Sequence, residues 1–183
     1  MKKFLLAMII MISFIEIVSC GSNSSVGEDS EEINASVESN ISQDNSTNVT
    51  EETSIYSEDD MYAVCDSLNK LLTSQWGAAG MEVKCYPTLE DDSVLIVALI
   101  DSVDKSQYTD DELLKLLQDN NIESGFINIP TAIINDYSLK NVVLELADKN
   151  GEMLYLFCNG DRIFQVGDES YDLSIKLVTP KEK

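Results

Sequence analysis

Met61, Val64, Cys65, Leu68, Leu71 and Leu72 recur at the three- and four-residue spacing of a helix that buries one face. They predict an α-helix over about 58–75. Ser57 stands before it with Asp60 three residues on, in the manner of a capping box, where side chain and backbone satisfy each other at the helix start. A second stripe, Leu113, Leu114, Leu116 and Leu117, predicts a helix over about 110–119, with Thr109 as its cap and Glu112 completing the box.

Elsewhere the period falls to two. In "GMEVKCYP", Met81, Val83 and Cys85 alternate with Glu82, Lys84 and Tyr86, and after a polar "TLEDD" turn comes "SVLIVALID". Together these predict a β-hairpin whose second strand, apolar on both sides, belongs inside a sheet covered on both faces. Further strands are predicted near 141–148, 152–158, 162–166 and 171–178, joined by Asn-Gly and Gly-Asp turns. Between 122 and 140 the pattern is ambiguous: "IESGFINI" has a strand's composition, and "PTAIINDY" suits a short helix with Pro130 in its first turn. The fold class expected is α+β, a mainly antiparallel sheet of about five or six strands with two or three helices, over residues 57–183.

The first residues follow another pattern. Lys2 and Lys3 precede a run, Phe4 to Ile15, that is apolar except for Ser13 and ends at Glu16. A spanning helix needs roughly 20 predominantly apolar residues, so the run reads as a signal peptide over 1–19. It closes on "IVSC", Ile17 to Cys20: an aliphatic residue, a tolerant position, a small residue and a cysteine. This resembles the lipobox of bacterial lipoproteins. The resemblance implies a diacylglyceryl group on the Cys20 thiol, cleavage before Cys20, and attachment to the cell membrane on its extracytoplasmic face. It covers about the first 20 residues and carries nothing over to the domain. Plain secretion, or an uncleaved signal anchor with Cys20 unmodified, is the alternative.

Residues 20–56 then read as a tether. Between Gly21 and Ser57 there is no Lys, Arg, Pro, Trp or Phe, and Ser, Thr, Asn, Asp and Glu fill most positions. Such a stretch buries too little apolar area to offset the entropy of ordering it, and as a coil it would span roughly 35 Å. Asn23, Asn34, Asn40, Asn45 and Asn48 each begin an Asn-x-Ser/Thr triplet. An Asn- and Ser-rich spacer produces these by composition alone.

Charge narrows the partners. The chain carries 33 acidic and 12 basic residues, net −21. From Met61 onward the balance is 21 acidic against 10 basic, net −11. Nucleic acid is excluded as a partner because both surfaces would bring negative charge. The partners expected are the membrane, through the lipid anchor, and a protein or other envelope ligand.

Catalytic signals are thin. The chain has no His, which removes the most adaptable general base and the commonest zinc ligand. The acidic pairs Asp91–Asp92, Asp110–Asp111 and Asp168–Glu169 fall at turns or a helix start, where acidic side chains have local reasons to be. "DKNGE", Asp148 to Glu152, recurs with oxygen ligands at alternate positions. It lacks the sixth-position Gly and twelfth-position Glu of a calcium loop, so a hairpin turn accounts for it. No metal, cofactor or catalytic residue is called for.

The function expected is a non-catalytic binding or accessory module; the alternative is a small extracytoplasmic hydrolase using carboxylates. Tyr155, Phe157 and Phe164 are the candidate binding patch, since aromatic side chains give large contact area at low entropic cost. Cys65 and Cys85 are the candidate disulfide, against the alternative of buried free thiols acting as small hydrophobes.

Overall fold

The computed structural model describes residues 54–182 apart from 172. The expected signal peptide, Cys20 and nearly all of the tether lie outside the described residues.

Helix α1, Glu58–Trp76, starts where its cap predicts, with the Ser57 hydroxyl accepting the Asp60 N–H at 3.3 Å. It buries Met61, Cys65, Leu68, Leu72 and Trp76 along one stripe. A short 3₁₀ turn and Gly80, at φ 74°, reverse the chain into strand β1, Met81–Pro87. Strand β2 follows over Ser93–Ile100. Helix α2, Asp110–Asp119, opens with the full capping box between Thr109 and Glu112.

The ambiguous stretch resolves into two helices, α3 over Ile122–Phe126 and α4 over Ile129–Tyr137. Ile122 and Phe126, one helical turn apart, are both buried while Ser124 between them is exposed, whereas a strand would set all three on one face. Pro130 sits in the first turn of α4, where its missing N–H costs no hydrogen bond. Strands β3 (Asn141–Asp148), β4 (Met153–Cys158) and β5 (Asp161–Gln165) complete the sheet. The Asn159–Gly160 turn between β4 and β5 has φ 55° and 95°, the doubly positive pair that suits a tight hairpin.

The five strands lie in the order β1-β2-β3-β4-β5. Neighbours are antiparallel except β2 and β3, which run parallel. The parallel pair needs a crossover, and α2 to α4 supply it. The α+β class and mostly antiparallel sheet follow the sequence expectation, with five strands and, counting short ones, more helices than the two or three expected.

The expected sixth strand over 171–178 is not formed. That segment is a strap ending in a short helix, α5, Ile175–Val178. A strand would set Leu173, Ile175 and Leu177 on one face; instead Leu173 and Leu177 pack against the sheet and Ile175 is 75% exposed.

The helices and the strap divide the sheet's two faces. Cys65, Leu68, Trp76, Phe126 and Ile133 join Val94, Ile96, Leu144 and Leu146 in the main core on the first face. On the second face Leu95, Val143, Leu156 and Cys158 form a smaller cluster, against which Leu173, Leu177 and Val178 of the strap pack.

Candidate functional site

The binding patch expected from the aromatic residues is split by this arrangement. Tyr155 and Phe157 are fully buried on the helix-covered face, stacked with ring centres 5.6 Å apart, and offer nothing to a partner. The reason is register: they are two apart on β4, hence on one side, and that side faces the helices. Phe164 lies on the opposite face, half-buried and edge-on to Tyr171 at 5.7 Å.

Around Phe164 the pairing registers build a surface that the aromatic pattern alone does not disclose. Lys84 pairs with Val97, Val97 with Glu145, Glu145 with Leu156, and Leu156 with Phe164. Paired residues share a face, so these five form one row across all five strands on the second side of the sheet. The next row runs Glu82, Leu99, Ala147, Met153.

Among the described residues the strap is the element that packs on this side, and it reaches Leu95, Val143, Leu156 and Cys158. Val97, Leu99, Glu145, Met153 and Phe164 remain half-buried. The strap is held at its far end by the Lys181 N–H donating to the Pro87 carbonyl at 2.8 Å and the Leu89 N–H donating to Thr179 at 3.1 Å. These contacts place it over one end of the sheet and leave the Val97 to Met153 end without a covering element among the described residues.

Glu145 is the residue out of character. It sits on the central strand with Val97 and Leu156 beside it, and burial pushes its carboxyl above the ordinary glutamate range. No described group donates a hydrogen bond to it or forms an ion pair with it. Lys84, the cation of its row, lies beyond β2 and pairs with Glu82 at 2.7 Å. A carboxylate held against apolar neighbours without a partner is costly in the free protein, and a cation arriving with a ligand relieves that cost.

The other acidic candidates are engaged locally. The Asp92 carboxylate accepts from the Ile55 N–H at 2.7 Å, the Ser54 hydroxyl at 2.7 Å and the Tyr56 N–H at 3.0 Å. Burial alone would raise its pKa, but these bonds and the Lys140 charge outweigh it and hold the group below its ordinary range. Asp91 is an exposed turn residue beside it. Asp110 and Asp111 occupy the first turn of α2, and Asp110 faces Lys105 at 3.8 Å. Asp168 accepts the Gln165 N–H at 2.9 Å in the turn after β5, and Glu169 is exposed.

Asp148 is wholly buried at the β3–β4 hairpin. It accepts from the N–H groups of Lys105, Asn150 and Glu152 at 2.8, 2.8 and 2.9 Å. The "DKNGE" stretch is therefore a hairpin turn organised by its own aspartate, with Gly151 at φ 85°. Among the described residues no three His, Cys, Asp or Glu side chains gather to hold a metal ion.

Cys65 and Cys85 are brought together: both are buried, and their sulfurs lie 3.2 Å apart. Cys158 is buried on the opposite face of the sheet.

No described helix is long and apolar enough to cross a membrane. Compared with protein-family models, curated proteins and solved structures, the chain matches none.

Proposed function

We propose that this chain is a lipid-anchored extracytoplasmic binding module. Its partner-facing surface is the open part of the second sheet face, and its partner brings a cationic side chain set among apolar ones. The lipobox resemblance at Ile17–Cys20 and the acidic tether support the anchor. The observation that carries the binding surface is Glu145, a desolvated carboxylate without a partner among the described residues, in the middle of a half-buried apolar row.

Charge chooses between occupants. A second copy of the chain would bring another net −21 and, in a symmetric contact, a second carboxylate toward Glu145. A cationic partner gains on both counts. The acidic pairs singled out for a hydrolase, Asp91–Asp92, Asp110–Asp111 and Asp168–Glu169, sit at turns and a helix start, where acidic side chains have local roles, which favours binding over the hydrolase alternative.

The anchor is tested by intact-mass analysis of the chain extracted from membranes. The expected mass corresponds to residues 20–183 plus acyl groups, and Cys20→Ala should release the chain from the membrane fraction. An unmodified thiol at Cys20, or a Cys20→Ala chain that is processed and stays membrane-bound, contradicts it. The surface is tested by Glu145→Lys, which should abolish partner capture while the domain stays folded.

A further inference from the structure

Three cysteines are described, and the fold treats them unequally. Cys65 falls on the buried stripe of α1, between Met61 and Leu68, and Cys85 on the inward side of β1. Their sulfurs are 3.2 Å apart across 20 positions of sequence. The two elements are also locked in register next to this pair, because the Cys85 N–H donates to the Asn69 side-chain oxygen at 2.6 Å. Asn69 is one helical turn past Cys65, so the helix and strand cannot slide without breaking that bond. Cys158 faces the other side of the sheet, behind the strands, and competes for neither sulfur.

We infer that Cys65 and Cys85 form a disulfide in the mature protein, stapling α1 to the edge strand β1. The inference rests on the extracytoplasmic reading for its oxidising surroundings. Closing the bond needs the sulfurs to approach from 3.2 Å to about 2.05 Å, which is within the reach of small side-chain rotations.

The oxidant is another disulfide, either a small-molecule one or the catalytic disulfide of an oxidoreductase. One cysteine thiolate attacks it to give a mixed disulfide and release one thiol. The second cysteine then displaces the other thiol, so two protons and two electrons pass to the oxidant and one S–S bond forms. The hydrogen bond to Cys65, together with burial, raises the Cys85 pKa well above its ordinary value, so Cys85 itself holds little nucleophilic thiolate once the helix has docked.

The test uses the full chain carrying Cys20→Ala, refolded from denaturant in glutathione disulfide, then alkylated and peptide-mapped. The expected product contains a Cys65–Cys85 linked peptide and an alkylated Cys158. It melts about 10 °C above the reduced form. Cys65→Ala and Cys85→Ala should each erase that difference, and Cys158→Ala should keep it.

Alkylation of all three thiols after refolding, or a bridge through Cys158, overturns the inference. A parallel sample is alkylated directly in intact cells, and protease added outside reports location independently. A protease-accessible chain with Cys65 and Cys85 both alkylated overturns the disulfide and leaves the location standing. A protected chain with reduced thiols overturns the location, and the refolded sample then decides the pairing.

Discussion

Tyr56 donates its backbone N–H to the carboxylate of Asp92 at 3.0 Å, joining the segment that leads into α1 to the β1–β2 turn 36 positions later. Ser54 and Ile55 bind the same carboxylate, and the Tyr56 hydroxyl donates to the Tyr137 carbonyl at the end of α4. Residues 54–56, ahead of α1, are thus clamped to one end of the sheet. Asp92 itself sits at φ 51°, a left-handed conformation that Asp and Asn tolerate better than most residues.

Asp92→Ala should cost about 2 kcal/mol, since it removes the acceptor shared by the Ile55 and Tyr56 N–H groups and the Ser54 hydroxyl and puts Ala at a positive φ. Asp92→Asn, which keeps one acceptor and suits the conformation, should cost less than half of that. Thermal unfolding measures both, and limited proteolysis near Ser54–Tyr56 should quicken in the alanine variant first. Equal costs for the two variants would mean that the acceptor oxygens do not matter.

Acid should act on Asp92 and Glu145 with opposite signs. The Asp92 pKa is lowered on folding, so its stabilisation is complete above the unfolded value of about 3.9 and is lost as pH falls toward the folded value. Asp148 behaves likewise. The Glu145 pKa is raised, so its penalty is absent below the unfolded value of about 4.3 and grows as pH rises through the folded value. Glu145→Gln should therefore melt higher than the parent at pH 7, with the gap closing as pH approaches 4. A gap that is constant with pH would contradict the carboxylate's being desolvated.

The buried aromatic pair should behave as core. Phe157→Ala is expected to cost about 4 kcal/mol. Phe164→Ser, at a half-buried site, should cost much less. The Tyr155 hydroxyl is buried without a hydrogen-bond partner among the described groups, and burial, with the Glu123 charge, raises its pKa. Tyr155→Phe should consequently be neutral or stabilising, because it removes an unsatisfied polar atom and leaves the ring. A loss near 1 kcal/mol in chemical denaturation would show that the hydroxyl is satisfied.

Much of this fold is legible from periodicity because local and tertiary demands agree in it. The Ser57 cap, the Thr109–Glu112 box and the apolar stripes after them each specify a helix by themselves, and the apolar run of β2 places it inside the sheet. The strap is different. "YDLSIKLV" alternates as a strand does, yet Leu173 and Leu177 also meet the sheet at helical spacing, and only the finished sheet decides between them.

The candidate surface was hidden for a related reason. In "NVVLELAD" one glutamate in an apolar run is visible, but its neighbours Val97 and Leu156 come from pairing registers that no single segment encodes. Tyr155 and Phe157 misled because an apolar strand does not say which face the helices will take.

Capture of a cationic partner at Glu145 on the second sheet face can be read by photo-cross-linking from position 99. A benzophenone side chain replaces Leu99 in the full chain on intact cells, with the same group at the exposed Asp66 of α1 as the control. An adduct is expected from position 99 and none from position 66. Its mass should differ from twice that of the chain, its partner peptide should carry Lys or Arg, and Glu145→Lys should abolish it without lowering the melting midpoint. No adduct at position 99, a dimer of the chain itself, or an adduct indifferent to Glu145→Lys would contradict it.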